Sequence, residues 1–81
     1  MLIIDSFGKD IIVGDVRVGY VGENELYMGK RKFADITDDG IISFEGEEIG
    51  YIEDDLSIII RDNEVGYIDD RNNFVFYKRI M

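Results

Sequence analysis

The sequence predicts a single all-β domain, in which five hairpin-like repeats of about 16 residues form a small closed or partly open antiparallel sheet. Three observations favour this fold class. A short apolar motif recurs at intervals of 15, 16 and 16 residues, and every copy is followed by an acidic turn and an apolar strand. No segment of 12 residues has the apolar i, i+3, i+4, i+7 pattern of a helix without a glycine in it. The four copies are Val18–Val21, Phe33–Ile36, Ile49–Ile52 and Val65–Ile68.

Each unit has the length of a β-hairpin, with two short strands joined by turns rich in Gly, Asn and Asp. The strands that follow the acidic turns are predicted at residues 26–28, 41–44, 57–60 and 74–77. The first 17 residues fit a looser fifth copy, because the segment from Ile4 to Ile11 mirrors the segment from Phe44 to Ile49. Five such units fill the chain, so we expect residues 1–81 to form one domain.

A small residue recurs inside the motif, at Gly19, Ala34, Gly50 and Gly66. Glycine within a strand is unfavourable and needs a structural reason. We expect the missing side chain to let an aromatic ring from a neighbouring strand lie across the backbone. The tyrosines beside three of these positions are Tyr20, Tyr51 and Tyr67. Their rings are predicted to pack in the core, and the alternative is that they stack on a ligand.

Two segments, Ile58–Ile60 and Phe74–Tyr77, are apolar at consecutive positions. This pattern implies burial on both faces of a strand, or one face in the core and one against a partner. Because an unpaired edge strand promotes aggregation, the sheet is expected to close on itself or to hide its edge in a dimer. We therefore expect a homo-oligomer.

Composition excludes several classes of function. The chain has no Cys and no His, so there is no disulfide framework, thiolate zinc site or cysteine nucleophile, and a cytoplasmic location is expected. The hydroxyl side chains Ser6, Thr37, Ser43 and Ser57 have no obvious base, so we expect neither an enzyme nor a cofactor. No apolar stretch is long enough to cross a bilayer, and Met1–Asp5 lacks the basic start of a secretion signal.

The net charge of −9 comes from 18 acidic and 9 basic residues. It argues against direct binding to nucleic acid and to anionic membranes, because both repel an acidic chain. A binding partner is instead expected to be a basic protein, such as a nucleic-acid-processing enzyme.

Nearly all of this charge is predicted to lie at one rim of the sheet, because alternate turns of a hairpin repeat emerge at the same end. The turns after the recurring motif contain nine carboxylates and one cation, Arg71. The candidate partner-binding residues among them are Asp38, Asp39, Glu53, Asp54, Asp55, Asp69 and Asp70. The alternative is that these turns are only solvated surface, since Asp is a favoured turn residue.

Two other charged segments resemble functional motifs but are interpreted as structural. Asp35–Gly40 is similar to the start of a calcium loop, but its twelfth position is glycine where a bidentate Glu is required, so no metal site is predicted. The basic cluster Gly29–Phe33 is expected to pair with acidic residues of the next repeat, Glu45, Glu47 and Glu48.

The segment Val65–Val75 resembles one unit of the Gly-Tyr-Ile hairpin repeats of four-fold β-flower proteins, and Ile49–Asp55 looks similar. The resemblance covers residues 18–81 and implies a shallow closed barrel of hairpins with no established activity. In size and charge the chain also resembles phage-encoded inhibitors of bacterial defence nucleases. That second resemblance implies carboxylates presented in place of nucleic-acid phosphates.

These observations predict a non-enzymatic acidic protein that presents its carboxylate rim to a basic nucleic-acid-binding protein. Its expected action is that of an anti-CRISPR-like nucleic-acid mimic, which occupies a basic channel and inhibits a defence nuclease. The alternative is a structural or oligomeric β-repeat module, which binds calcium weakly through its acidic turns or binds nothing.

Overall fold

The computed structural model describes residues 3–78, which contain nine β-strands and no helix. Each strand is hydrogen-bonded to the next, and the last pairs with the first, so the sheet closes into a barrel. The predicted all-β class is confirmed, and the sheet is closed. The strands are β1 (Asp10–Val13), β2 (Val16–Gly22), β3 (Glu25–Met28), β4 (Arg31–Ile36), β5 (Ile41–Phe44), β6 (Glu47–Ile52), β7 (Ser57–Ile60), β8 (Asn63–Ile68) and β9 (Phe74–Phe76).

The barrel closes through a parallel pair of strands. Consecutive strands are antiparallel, but β1 and β9 run in the same direction, with Ile11 opposite Phe74 and Val13 opposite Phe76. Strands alternate in direction along the chain, so the first and last of an odd number must be parallel. The sheet therefore differs from a wholly antiparallel one at this one pair. Closure leaves none of the nine strands with a free edge.

Four hairpins make up most of the barrel, β1–β2, β3–β4, β5–β6 and β7–β8, and β9 completes the circle. Each hairpin contains a β-bulge, in which one extra residue of the second strand faces no partner. The bulged residues directly precede the recurring small residue and are Val18, Phe33, Ile49 and Val65. A bulge bends its strand and increases the local twist, which helps so short a sheet to close.

The recurring glycines let the backbones of neighbouring strands approach closely. A Cβ atom added at Gly19, Gly50 or Gly66 would lie 1.8, 2.0 or 2.1 Å from a carbonyl oxygen of the next strand. Those oxygens belong to Tyr27, Ile59 and Val75. Any side chain at these positions would therefore force two paired strands apart.

The prediction that core-packed tyrosine rings explain these glycines is wrong. The space beside each glycine is filled by backbone, and Tyr20, Tyr51 and Tyr67 lie on the barrel surface, 36%, 40% and 41% exposed. Their rings are directed outward because side chains alternate between the two faces of a strand, and the buried glycines occupy the inner face. Tyr20 stacks on Tyr27 of the adjacent strand, with ring centroids 4.8 Å apart.

Ala34 occupies the same position in β4, and strand pairing is shorter there. β4 and β5 share two paired positions, whereas β6–β7 and β8–β9 each share three. The carbonyls of Val18, Ile49 and Val65 accept an N–H from beyond the next strand at 2.8 to 2.9 Å, but within residues 3–78 the Phe33 carbonyl accepts no equivalent bond. The strand with alanine at this position therefore has the shorter pairing with the strand that follows it.

The barrel interior is filled by buried side chains that recur once in each repeat of the sequence. Five side chains, one from each odd-numbered strand, have no exposed surface, and they are Ile11, Leu26, Ile42, Ile58 and Phe74. A second layer comes from the even-numbered strands and contains Val21, Ile36, Ile52 and Ile68. Complete burial of one such side chain contributes about 1.5–3 kcal/mol. The repeat in the sequence is therefore a repeat of core positions.

A left-handed turn residue precedes each odd-numbered strand. These residues recur every 16 positions, have φ between 59° and 92°, and are Gly8, Asn24, Gly40, Leu56 and Asn72. Glycine and asparagine tolerate this conformation better than other residues, so Leu56 is the exception. Gly8 corresponds to Gly40 in this series, so the predicted match of Ile4–Ile11 to Phe44–Ile49 is wrong, and residues 4–8 correspond to residues 36–40.

Gly50→Ala is expected to destabilise the barrel by about 2–3 kcal/mol, because the new methyl group overlaps the Ile59 carbonyl and strains the β6–β7 pair. Urea unfolding followed by far-ultraviolet circular dichroism should show this as a lower midpoint.

Ala34→Gly is the matched control at the position where the strands already stand apart. Its stability should change by less than about 1 kcal/mol, since the entropy cost of glycine opposes the gain in strand pairing. If Gly50→Ala unfolded at the parent midpoint, close backbone approach would not limit these positions.

Candidate functional site

The loops that lead into the odd-numbered strands all open at one end of the barrel, because neighbouring strands alternate in direction. They are residues 23–24, 37–40, 53–56 and 69–73, and residues 3–9 lead into β1 at the same end. We call this surface the acidic end. It includes all seven predicted partner-binding residues, Asp38, Asp39, Glu53, Asp54, Asp55, Asp69 and Asp70.

Charge is distributed very unequally between the two ends of the barrel. The acidic end has nine carboxylates against two cations, Lys9 and Arg71. The turns at the opposite end, residues 14–15, 29–30, 45–46, 61–62 and 77–78, have three acidic and three basic residues. Asp5 and Lys9 belong to the acidic end because backbone hydrogen bonds join residues 4–9 to its loops.

Four of the seven carboxylates accept hydrogen bonds from residues in or beside the loops of the acidic end. Asp69 Oδ1 accepts the N–H groups of Arg71 and Asn73, both at 2.9 Å, and Asp55 Oδ1 accepts the Ser57 N–H at 3.0 Å. Asp39 accepts a hydrogen bond from the Thr37 hydroxyl, and Asp38 accepts one from the Asn24 amide. These bonds stabilise the loop conformations.

The other three, Glu53, Asp54 and Asp70, are exposed and accept no side-chain hydrogen bond within residues 3–78. The ion pairs in this part of the chain join Arg17 to Asp10 and Lys32 to Glu25 and Asp35. None of the seven carboxylates is therefore neutralised by a cation of the described chain.

A segment that the sequence did not assign to the site lies across part of the acidic end. The Ile4 N–H donates to the Asp38 carbonyl, and the Gly8 N–H donates to the Val21 carbonyl, both at 2.8 Å. Ser6, between these two bonds, is 2% exposed. The matching spacing of Ile4–Gly8 and Ile36–Gly40 was the signal that could have placed this segment.

A cleft of about 410 Å³ lies between this segment and the loops after β2 and β4. Its wall residues include Ser6, Glu23, Asn24, Thr37 and Asp38, of which only Asp38 was a predicted site residue. Asn24 joins the two loops, because its side-chain amide donates to the Ile36 carbonyl at 3.0 Å and to Asp38 at 3.1 Å.

The calcium-like segment and the basic cluster have other roles in the fold. Asp35 lies at the outer face of β4, where its carboxylate is 2.7 Å from Lys32 Nζ, and the Thr37 hydroxyl is bonded to Asp39. Across residues 3–78 no three acidic side chains converge as a metal site would require. The expectation that the basic cluster pairs with Glu45, Glu47 and Glu48 is wrong for Lys32, whose hydrogen bond to Asp35 raises its pKa.

The pKa of Asp55 is lowered below its ordinary value of 3.8, mainly because the Ser57 backbone N–H donates to the carboxylate and also through the Ser57 side chain. A carboxylate that is a better acid in the folded state stabilises the fold above its unfolded pKa. That contribution is lost as the pH falls through the lowered folded pKa.

We expect Asp55→Asn to flatten the pH dependence of stability below pH 4, because the variant lacks the carboxylate whose pKa shifts on folding. Urea midpoints measured at pH 6 and pH 3 would check this, with Asp54→Asn as the control that removes the same charge from the same loop. An equal change in both variants would show that the Ser57 bond does not stabilise the fold through the charged carboxylate.

Within residues 3–78 there is no helix that is long and apolar enough to cross a membrane. Comparison of the chain with protein-family models, with curated proteins and with solved structures gives no match.

Proposed function

We propose that this protein binds, without catalysis, a basic groove of a nucleic-acid-binding protein through its acidic end, and thereby inhibits a defence nuclease as a nucleic-acid mimic. The unequal charge of the two barrel ends carries this proposal, because one end has nine carboxylates against two cations and the other is balanced. A charge distribution of this kind orients the molecule towards a positive surface during diffusion.

The loops of the acidic end are suited to recognition because much of their conformation is fixed before binding. Backbone bonds close them, from Gly40 N–H to the Thr37 carbonyl, from Leu56 N–H to Glu53, and from Asn72 N–H to Asp69, at 2.8 to 3.0 Å. Preformed loops lose little conformational entropy when a partner docks. The side-chain carboxylates of Glu53, Asp54 and Asp70 make no hydrogen bond within the loops, so they are available to cationic side chains of the partner.

Neutralising these three residues tests the proposal with the least disturbance of the turns. The variant Glu53→Gln, Asp54→Asn, Asp70→Asn should bind a basic nuclease about tenfold more weakly at 0.1 M salt, since exposed ion pairs contribute up to about 1 kcal/mol each. Purified defence nucleases with bound fluorescent DNA provide the assay, in which the parent protein should displace the DNA. The displacement should weaken as salt shortens the screening length from about 10 Å.

The matched control removes three charges from the opposite end, by Asp15→Asn, Glu45→Gln and Asp62→Asn. It should displace DNA as well as the parent does. Equal loss of binding in both triple variants would show that binding depends only on the net charge of the protein. If the parent protein displaced DNA from none of the nucleases tested, the proposal would be refuted.

The alternative, a structural or oligomeric module, is favoured by an apolar belt on the outer surface. The belt consists of two runs of side chains that face each other across paired strands, Ile41–Tyr51–Ile59 and Tyr67–Val75–Ile12. Ile59 is only 8% exposed although it lies outside the core cluster. Because the closed barrel has no edge for strand pairing, a second copy would dock on such a face.

Under this alternative, Tyr51→Lys should abolish concentration-dependent association in sedimentation velocity runs at 0.5 M salt, where charge repulsion is screened. Tyr20→Lys is the control, because Tyr20 is exposed on β2 and belongs to neither run, and this variant should associate like the parent. A parent protein that remains monomeric at every concentration would eliminate this alternative.

A further inference from the structure

The cleft at the acidic end has the form of a small binding pocket. Its volume of about 410 Å³ falls within the usual range for ligand sites. Backbone hydrogen bonds from Ile4 to Asp38 and from Gly8 to Val21 fix both ends of the segment that covers it. The pocket is therefore part of the folded barrel.

The pocket wall combines apolar and acidic groups. Ile4, Val21 and Ile36 supply aliphatic surface, and Phe7, 71% exposed, also lies against the cleft. Carboxylates come from the loops after β2 and β4, at Glu23 and Asp38. Among the described residues, no lysine or arginine lines the cleft. The cleft is therefore suited to a cation with an apolar stem, and it repels an anion.

Ser6 supplies a second observation that points to a ligand. Ser6 is one of the residues that line the cleft, it is 2% exposed, and its Oγ has no hydrogen-bond partner within residues 3–78. A buried hydroxyl without a partner is costly, and such a group is usually satisfied by a bound molecule or an ordered water. Ser6, Glu23 and Asp38 line the same cleft, and their oxygens are acceptors for a molecule with several N–H donors.

The geometry points to an arginine side chain of the basic partner as the occupant of this cleft. Arginine has five N–H donors in a planar group and no acceptor, so it can donate to Ser6 Oγ and to the carboxylates of Glu23 and Asp38 at once. Its aliphatic stem fits the apolar wall, and its planar head can stack on the Phe7 ring. Lysine is a poorer match because its ammonium lacks the flat fork. This inference rests on the proposed function and names the partner group that the acidic end would hold.

The test is a titration of isotope-labelled protein with N-acetyl-arginine methylamide, followed by nuclear magnetic resonance. The amide signals of Gly22, Asn24 and Thr37 should shift saturably, because these residues line the cleft. The citrulline analogue has the same shape without the charge, and the lysine analogue has the charge without the fork. Each should bind at least fivefold more weakly than the arginine compound.

Two variants test the residues themselves. Ser6→Ala and Glu23→Gln should each weaken the arginine compound about fivefold, whereas Ser43→Ala and Asp62→Asn, which lie away from the cleft, should change it less than twofold. Glu23 is exposed, so its variant should keep the test valid even if Ser6→Ala fails to fold. Equal binding of the three analogues, or no effect of either cleft variant, would overturn the inference.

An octa-arginine peptide separates this inference from the proposed function. If the peptide bound the acidic end while Ser6→Ala and Glu23→Gln left its affinity unchanged, the cleft would have no part in recognition and only the inference would fail. If neither the peptide nor the arginine compound bound the parent protein at 0.1 M salt, both the inference and the proposed function would fail.

Discussion

The close approach of paired backbones beside a bulge is the constraint on which the barrel depends. At Gly19, Gly50 and Gly66 a carbonyl oxygen of the next strand occupies the space of a side chain. The bulged residue before each glycine bends the strand at the same level, so tight pairing and curvature recur together in successive hairpins. At Ala34, where a methyl group is present, the pairing of β4 with β5 is shorter than the pairings of β6 with β7 and of β8 with β9.

This architecture separates the two kinds of turn and thereby separates their chemistry. Tight turns with left-handed residues such as Asp15 and Asp62 occur at one end, where acidic and basic side chains balance. Three of the four loops between strands at the other end are longer, and their carboxylates partly cap backbone N–H groups and partly face solvent. The same acidic residues thus shape the loops and charge them, so the turn and binding interpretations of this end are compatible.

The sequence period was sufficient to predict the fold class and to place the seven carboxylates at one end, because alternation of strand direction follows from a chain of hairpins. It was not sufficient to explain the glycines, since an aromatic ring and a backbone carbonyl both require a small residue. The parallel β1–β9 pair depends on the total number of strands, which local pattern does not determine. The cleft was missed because residues 3–9 form no strand and pack through backbone bonds, so that its one sequence signal was the spacing shared by Ile4–Gly8 and Ile36–Gly40.

The pairing of β1 with β9 has a consequence for how the protein is made. Asp10 donates its N–H to Asn73 Oδ1 at 3.0 Å across 63 residues of sequence, whereas every strand pair except β1–β9 joins strands that are consecutive in the chain. Local hairpins form early, and contacts between distant residues are slow. During synthesis on the ribosome, the emerging chain therefore forms an open, curved sheet of hairpins until β9 emerges. During that interval both edges of the sheet are available to other nascent chains, so the order of synthesis sets the period of greatest aggregation risk.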